Sequence, residues 1–252
     1  MTDLKSIQPQ TKYKILLIGD DCVDVYQYGT VDRISPEAPV PVIKFEYEEQ
    51  KPGMAGNVCK NLEALDCDVT YLHGNTSVKT RLIDSRSKQH IVRIDNDVES
   101  EPISFETAIP DVYNAIVISD YNKGTVSYEL IEELRQEFSG PIFVDTKKTD
   151  LARLEGCIVK INSLEHSLIK TQCTDLIVTM GKHGARYRDQ VYTAEPVEVA
   201  DVCGAGDTFL AALVSEYLTQ HSIEQAIPYA IRAAGITVQH LGVYAPTWKE
   251  IE

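Results

Sequence analysis

A glycine-rich turn followed by a carboxylate is the segment of this sequence best suited to chemistry. The segment DVCGAGD, residues 201–207, leads into an apolar run that predicts a helix. Because Gly204, Ala205 and Gly206 carry little or no side chain, their N–H groups at the helix start can face an anion. Asp207 beside that anion can accept a proton from an attacking hydroxyl, which suits phosphoryl transfer. For this heptapeptide alone, a helix-capping carboxylate after a flexible turn is the alternative interpretation.

The overall charge limits the classes of ligand that the chain can bind. Its 252 residues carry a formal net charge of −14, with a pI near 4.9. Nucleic acids and anionic membranes require a dense surface of lysine and arginine, so we expect neither as a partner. A small anion such as a nucleotide phosphate can still bind locally, because backbone N–H groups and a few placed cations suffice.

The composition predicts a single folded domain over residues 1–252, located in the cytoplasm. Hydrophobic residues make up 43% of the sequence, which is enough apolar material for a core. The N-terminal residues are polar, and no stretch approaches the roughly 20 apolar residues of a membrane span. The six cysteines include no CxxC pair and no histidine at metal-ligand spacing. This pattern predicts reduced, mostly buried thiols rather than a zinc site.

The first apolar run predicts a strand that ends beside several carboxylates. YKILLIG, residues 13–19, is short and apolar, and the predicted strand ends at Gly19. Asp20, Asp21 and Asp24 follow it directly. In open α/β sheets, ligands bind outside the carboxyl ends of the strands. We therefore expect these carboxylates to line a site.

Three amphipathic segments predict a small lid beside the main body. Residues 42–48 alternate polar and apolar side chains, which is the period of a strand with one solvated face. Segments 78–83 and 89–95 are also amphipathic, and SRSK between them suits a turn. Together they predict a small antiparallel sheet, with lid strands over about residues 25–50 and 78–96.

The remaining apolar runs predict an α/β fold with a mostly parallel sheet. An amphipathic helix over 55–66 follows a loop whose N–H groups are expected to point outward. Short apolar strands then alternate with a helix, as in parallel strands joined by crossovers. A hairpin and two C-terminal helices complete the fold. These elements are expected at 115–120, 127–138, 141–145, 157–161, 175–180, 186–194, 207–218 and 222–241.

The heptapeptide DVCGAGD resembles the C-terminal signature of ribokinase-like (PfkB) sugar kinases. Cys203 stands at a position that threonine often holds in that family. The resemblance implies a ribokinase-like three-layer sandwich with a mostly parallel central sheet and a small β-sheet lid. It also implies ATP and Mg²⁺ as cofactors, Asp207 as the catalytic base, and the turn of Gly204, Ala205 and Gly206 as the anion hole.

The segment PGMAGN, residues 52–57, is similar to the N-terminal signature of the same family, with Met54 in place of the usual second glycine. The resemblance implies that Gly53 and Asn57 contact the sugar, together with Asp24 after the first strand. An ordinary turn and helix entry is the alternative, because glycine and asparagine are common turn residues.

Two segments resemble the nucleotide-binding motifs of these kinases. NSLE, residues 162–165, looks like the family's NxxE motif, which organises the phosphates and the magnesium ion. Magnesium usually keeps its own waters, so Glu165 is expected to hold the metal through water. VTMGKHGA looks like the VTxGxxG segment. The alternatives are a helix cap and a plain strand-to-hairpin connection. The implied nucleotide-binding residues are Asn162, Ser163, Leu164, Glu165, Thr179, Gly181 and Gly184.

Three further stretches resemble segments of the family, and two of them point to one branch of it. Asp145-Thr146-Lys147 resembles the family's Asp-Pro-Lys and makes Lys147 a candidate cation for a phosphate, although a loop lysine is usually only solvated. ISDYNKG and RISPEAPVPV look like segments of D-glycero-D-manno-heptose 7-phosphate kinases. In RISPEAPVPV, Arg33 is a candidate cation where a sugar phosphate enters, and a rigid connector without substrate contact is the alternative.

The resemblance implies ATP-dependent phosphorylation of D-glycero-D-manno-heptose 7-phosphate at its anomeric hydroxyl, giving the 1,7-bisphosphate. The segment after Leu65 is shorter than in typical members, which leaves a kinase for another sugar or sugar phosphate as one alternative. A catalytically silent sugar-phosphate or nucleotide sensor is another. A dinucleotide-binding oxidoreductase is disfavoured, because no GxGxxG follows the first strand. We also expect a homodimer through the lid, which would cover exposed strand edges.

Overall fold

The structure is a computed structural model, and it describes residues 12–105 and 112–252. One mixed sheet runs through these residues. The domain predicted over residues 1–252 includes segments 1–11 and 106–111, which lie outside the described residues. The strands are β1 Lys14–Ile34, β2 Pro41–Met54, β3 Asp68–Asp84, β4 His90–Asn96, β5 Ala115–Asp120, β6 Ile142–Thr146, β7 Ile158–Asn162, β8 Leu176–Thr179, β9 Ala185–Tyr187 and β10 Gln190–Tyr192. Their order is β10-β9-β8-β7-β6-β5-β1-β3-β4, with β2 paired to β1.

The centre of the sheet is parallel and its margins are antiparallel. β3, β1, β5, β6, β7 and β8 pair in parallel with their neighbours. β2 and β4 at one end, and β9 and β10 at the other, pair in antiparallel fashion. The hairpin predicted over 186–194 is the pair β9 and β10. The prediction of a mostly parallel sheet is confirmed.

Helices cover both faces of the parallel part of the sheet. Ile15 and Leu17 of β1 point into a core with helices α1, α4, α5 and α6, whereas Leu16 and Ile18 point into a second core with α2. This alternation follows from the period of two in a strand, and it requires the continuous apolar run that the sequence has here. The three-layer arrangement is confirmed. The helices are α1 Ala55–Ala64, α2 Tyr128–Glu137, α3 Ser163–His166, α4 Ala205–Gln220, α5 Ile223–Thr237 and α6 Trp248–Ile251.

The prediction that the first strand ends at Gly19 is wrong, because β1 continues to Ile34. Carboxylates are tolerated inside the strand since distant partners satisfy them. Asp20 accepts hydrogen bonds from the backbone N–H groups of Tyr121 and Lys123 at 2.7 and 3.1 Å. Asp21 accepts hydrogen bonds from hydroxyl groups on β3. Asp24 therefore lies within a strand and not in a loop after one.

The lid is a continuation of the main sheet, and the expectation of a separate small sheet is wrong. β1 and β3 remain paired in parallel from Lys14 and Asp68 up to Gly29 and Asp84. β2 and β4 then join their outer halves in antiparallel pairing. The loop expected before α1 is also absent, because residues 51–54 are the end of β2. The backbone N–H groups of residues 51–54 therefore belong to a strand paired with β1 and do not point freely outward.

Two global properties of the described residues bear on the earlier expectations. Four of the six cysteines are buried and all six are free thiols, in agreement with the expectation of mostly buried thiols. Among the described residues, no helix is both long and apolar enough to cross a membrane.

Candidate active site

The start of α4 places the Asp207 carboxyl group between two donors from other elements. Gly204 precedes the helix in the left-handed conformation, with φ of 77°, and Asp207 lies in the first turn. The Asn57 side chain of α1 donates to Asp207 Oδ2 at 2.7 Å. The Tyr121 hydroxyl, in the turn after β5, donates to Asp207 Oδ1 at 3.0 Å. Both carboxyl oxygens are thus held in fixed directions.

Burial gives Asp207 an unusual proton affinity for an aspartate. Loss of hydration raises its pKa to about 6, and the neighbouring Asp145 carboxylate acts in the same direction. The hydrogen bonds from Asn57 and Tyr121 and the charge of Lys160 oppose this rise. A carboxylate with a pKa just below neutrality is ionised at pH 7 and still accepts protons readily, which is what general base catalysis requires.

A buried ion pair lies beside the glycine turn. Lys160 Nζ of β7 and Asp145 Oδ2 of β6 are 2.6 Å apart, and the two residues are in register in the parallel pairing. Burial alone would lower the pKa of the lysine, but the Asp145 carboxylate outweighs this effect and raises it. A Cβ on Gly206 would stand 3.1 Å from Lys160 Nζ. A permanent cation therefore faces the turn that was predicted to hold an anion.

The NSLE segment forms a capping box at the start of α3. Asn162 Oδ1 accepts from the Glu165 N–H at 2.9 Å, and Glu165 Oε2 accepts from the Asn162 N–H at 2.8 Å. Glu165 Oε1 pairs with Lys147 Nζ at 2.9 Å. The structure thus shows the alternative interpretation of the motif, a helix cap, but the glutamate is mostly buried. It lines the cavity that also contains Asp207.

The other predicted nucleotide-binding residues lie around the ends of β7 and β8. The Ser163 hydroxyl donates to the Thr179 carbonyl at 3.2 Å, which ties the two strand ends together. The Leu164 side chain is 70% exposed. Gly181 and Gly184 flank a single 3₁₀ turn and both have positive φ, 56° and 88°.

Gly184 is expected to be irreplaceable for stability. A Cβ at this position would stand 1.9 Å from the Tyr192 carbonyl oxygen, whereas a Cβ on Gly181 would meet no atom within 4 Å. Gly184→Ala should lower the free energy of unfolding by about 3 kcal/mol, because the steric overlap adds to the strain of positive φ. The matched variant Gly181→Ala should cost only about 1 kcal/mol. Guanidinium denaturation measures both, and equal losses would contradict the steric argument.

On the lid side, Asp24 and Gly53 are in contact. A Cβ on Gly53 would stand 2.7 Å from Asp24 Oδ2, so only glycine leaves room for that carboxylate. Asp24 Oδ1 is 2.5 Å from Arg81 Nη1 of β3, and both residues are buried. The structure therefore brings together two of the predicted sugar-binding residues and adds an arginine to them.

Arg33 is not brought to this site. It lies near the end of β1, opposite Val42, with an exposed side chain. Among the described residues, its side chain makes no hydrogen bond or ion pair with the other candidates. The physical reason is that β1 does not end at Gly19, so its extension carries Arg33 outward along the lid. This arrangement favours the connector interpretation of that run.

Sequence reasoning assigned no role to several residues that line the cavity. Tyr121 belongs to the quoted ISDYNKG segment, but its contact with Asp207 joins positions 86 residues apart. Lys160 interrupts the apolar run CIVKI, and a lone lysine in a buried strand was the available signal. The cavity is lined by Asp120, Tyr121, Asp145, Lys147, Lys160, Asn162, Glu165, Gly204, Gly206 and Asp207.

Comparisons with known proteins identify similar sequences and similar folds. The model of the pfkB family carbohydrate kinases matches residues 149–250. A curated relative, the bifunctional protein HldE of a Nitratiruptor species, is 33% identical over 302 residues, covering 96% of this chain and 64% of the relative. The chain is similar to the pfkB family of carbohydrate kinases, with the family match in its C-terminal part. It spans a little under two thirds of that relative's length, and the aligned stretch is longer than this chain, so the relative has internal residues that are missing here.

Solved structures show the fold of this chain. Phosphofructokinase-2 from Escherichia coli, in complex with potassium, superposes with a TM-score of 0.70 at 14% identity, covering 95% of this chain and 96% of the other. Arabidopsis thaliana ribokinase, complexed with ribose and ATP, superposes with a TM-score of 0.66 at 15% identity, covering 95% and 97%. The fold is ribokinase-like.

Proposed function

We propose that this chain transfers the γ-phosphoryl group of ATP to a hydroxyl of a sugar phosphate. The observation that carries the proposal is the position of Asp207, a buried carboxylate held by two donors at the start of α4, with Lys160 facing the adjacent turn. In the proposed reaction, Asp207 takes the proton of the sugar hydroxyl as the oxygen attacks the γ-phosphorus and the bond to ADP breaks. The N–H groups of Gly204, Ala205 and Gly206, with Lys160, stabilise the transferring phosphoryl group.

The same proposal assigns the nucleotide to the ends of β7 and β8. Asn162, Ser163, Leu164 and Glu165 would border its phosphates, with Thr179, Gly181 and Gly184 allowing close approach of the backbone. Lys147 would serve as a second cation. The donor set fits a magnesium ion held through water, because Glu165 presents hard carboxylate oxygens to the cavity while both are already hydrogen-bonded within the protein. When bound, the ion would neutralise charge on the phosphates.

A row of cations beside Asp24 supports a phosphorylated sugar as the acceptor. Strand pairing places Lys51 and Lys79 on either side of Asp24, and Arg81 lies two residues beyond Lys79 on the same face. Within the described residues, neither lysine has an ion-pair partner. In a chain with a net charge of −14, this concentration of cations is suited to a sugar phosphate. The sugar ring would then contact Asp24 and Gly53.

More specifically, we propose that the sugar phosphate acceptor is D-glycero-D-manno-heptose 7-phosphate, phosphorylated at its anomeric hydroxyl. ATP turnover with magnesium, measured against a panel with this compound, fructose 6-phosphate, ribose and unphosphorylated heptose, tests it. We expect the heptose phosphate to have the highest kcat/KM. Preference for another member of the panel would change the substrate and keep the kinase. Binding of ATP without turnover of any acceptor would contradict the kinase and favour a sensor.

The reaction should depend on pH through Asp207. Its carboxyl must be ionised to accept a proton, and burial raises its pKa to about 6. Activity should therefore fall as the pH is lowered through about 6 and should level off toward neutrality. A profile of kcat/KM against pH measures this limb. A limb near pH 4, the usual range of an exposed aspartate, would contradict Asp207 as the base.

We also propose a homodimer formed through the lid. Phe45 and Tyr47 of β2 and Val92 and Ile94 of β4 expose large apolar side chains, each between 43% and 60% exposed. Apolar side chains on strands with free edges favour association. Light scattering at micromolar concentration should give twice the chain mass of 28.1 kDa, and Ile94→Glu should reduce it. A monomer in the unmodified protein would contradict the proposal.

The chain is proposed to act as one kinase domain in the cytoplasm. All ten strands of the described residues belong to one sheet, which supports a single folded unit. Free cysteines and the use of ATP suit a reducing compartment.

A further inference from the structure

A buried row of hydrogen bonds leads from α5 to the Asp207 carboxylate. The Thr208 hydroxyl donates to Asn61 Oδ1 at 2.8 Å. Behind it lies the Thr237 hydroxyl, whose single hydrogen is within reach of Thr208 Oγ1 at 3.0 Å and of the Tyr244 and Ala233 carbonyl oxygens at 3.1 and 3.3 Å. Asn61 Nδ2 donates to both oxygens of Asn57, at 2.8 Å to the carbonyl and 3.3 Å to Oδ1. Asn57 Nδ2 completes the row at Asp207 Oδ2. All five side chains are buried, and three helices contribute to the row.

The row has one direction, which is set by two groups that can only accept, the Asn57 carbonyl oxygen and the Asp207 carboxylate. A threonine hydroxyl has a single hydrogen, so Thr208 can donate to Asn61 only while it accepts from Thr237 or from no side chain. An Asn61 amide that accepts from Thr208 through Oδ1 must turn Nδ2 toward Asn57. That contact in turn directs Nδ2 of Asn57 to Asp207. Each donor is therefore oriented by the residue behind it.

We propose that Thr208 and Asn61 are positioning residues that fix the amide of Asn57 as a donor to the catalytic carboxylate. Neither side chain lines the cavity. Their effect would pass through Asn57, since a chain of aligned hydrogen bonds in a medium of low dielectric strengthens its last bond. Without the hydroxyl of Thr208, Asn61 Oδ1 loses its donor, and the contact of Asn61 Nδ2 with Asn57 Oδ1 is weakened.

Other groups that act on Asp207 come from the opposite side of the cavity. Tyr121 donates to its second oxygen, the charge of Lys160 lowers its pKa and the charge of Asp145 raises it. Glu165, Lys147 and Asp120 also line the cavity. None of these charged or hydrogen-bonding groups lies on α1, α4 or α5, the helices that contribute the row. Changes at Thr208 or Thr237 therefore leave the charges around Asp207 unaltered, and any change in its titration reports the hydrogen-bonded row.

The test compares three threonine-to-valine variants. Thr208→Val removes the central hydroxyl, Thr237→Val removes the donor behind it, and Thr125→Val is the matched control. Thr125 is also fully buried, but its hydroxyl has no partner among the described residues. Thr208→Ser restores the hydroxyl. The inference rests on the proposed function, so the primary readout is independent of turnover. It is the titration of the Asp207 carboxyl by carbon-13 NMR, with the signal assigned by its loss in Asp207→Asn.

In Thr208→Val, the midpoint of the Asp207 titration should move upward by about one unit, the scale of one weakened hydrogen bond to a carboxylate. At pH 6 the ionised fraction, and with it kcat/KM, should fall by about fivefold, with the KM for ATP unchanged. Thr208→Ser should return to the wild-type midpoint, Thr237→Val should shift in the same direction by less, and Thr125→Val should not shift.

Unchanged midpoints in folded Thr208→Val and Thr237→Val would overturn the inference. Should Thr208→Val fail to fold, Thr237→Val decides, because that change lies one hydrogen bond further from Asp207. An upward shift in a protein that turns over no acceptor would count against the proposed kinase reaction and would still support the positioning role.

Discussion

Asp207→Asn is expected to lower kcat by about 10³-fold in a protein that remains folded. The asparagine amide has nearly the shape of the carboxylate but cannot take the proton of the sugar hydroxyl, and general base catalysis contributes about 10²–10⁴-fold. Its Oδ1 can still accept from Asn57, while its Nδ2 can donate to the Tyr121 oxygen. The local network therefore persists, and removal of a buried charge should not destabilise the fold. Steady-state turnover and thermal unfolding measure the two effects.

Asp175→Asn is the matched control for this substitution. Asp175 also accepts a hydrogen bond from a tyrosine, Tyr187, at 2.6 Å, but it lies outside the cavity. Its replacement should leave kcat within about twofold of the wild-type value, as expected for a change away from reacting groups. If Asp207→Asn kept a tenth or more of the activity, Asp207 would not be the base.

Lys160→Met is expected to combine a loss of turnover with a loss of stability. Removal of a cation that faces the transferring phosphoryl group should reduce kcat by about 10²–10³-fold. The same change leaves the Asp145 carboxylate without its partner at 2.6 Å, in a place where water is largely excluded. Breaking a buried pair in this way costs about 3–5 kcal/mol of unfolding free energy. Guanidinium denaturation and steady-state kinetics measure the two losses separately.

A double variant separates the two roles of Lys160. In Lys160→Met with Asp145→Asn, no charge is left unpaired, so most of the stability should return while turnover stays low. Lys147→Met is the control for the stability measurement. Lys147 is 45% exposed in its pair with Glu165, and loss of such a pair should cost less than about 1 kcal/mol. Recovery of turnover in the double variant would show that Lys160 matters only for the fold.

The start of α4 illustrates what local sequence can predict. The run of small residues before Asp207 and the apolar residues after it are contiguous, so the turn, the helix and the place of the carboxylate could all be inferred from seven residues and their sequel. The same holds for the strands β5 to β8, because a buried parallel strand needs an unbroken apolar run. The role of the carboxylate as a base remains a prediction.

The path of β1 illustrates what local sequence cannot predict. Three aspartates within five residues normally interrupt a buried strand, so the local pattern predicts an end at Gly19. The strand continues because the turn after β5 supplies backbone donors to Asp20 from about 100 residues away. No property of residues 13–34 indicates those partners. Arg33 was expected at the site from the resemblance of its segment, and the extension of β1 carries it along the lid instead.

Asn57 and Lys160 show the same limit of prediction from local sequence within the site. Residue type identified Asn57 as a binding group, but its amide is used on Asp207, 150 positions later in the chain. Lys160 is meaningful only because parallel register sets Asp145 opposite it. The sequence by itself determined most of the elements and the reactive segments, because hydrophobic periodicity and turn chemistry act over a few residues. Tertiary structure alone decided which polar groups pair, because burial and long-range register set hydrogen bonds and proton affinities, and neither is a local property.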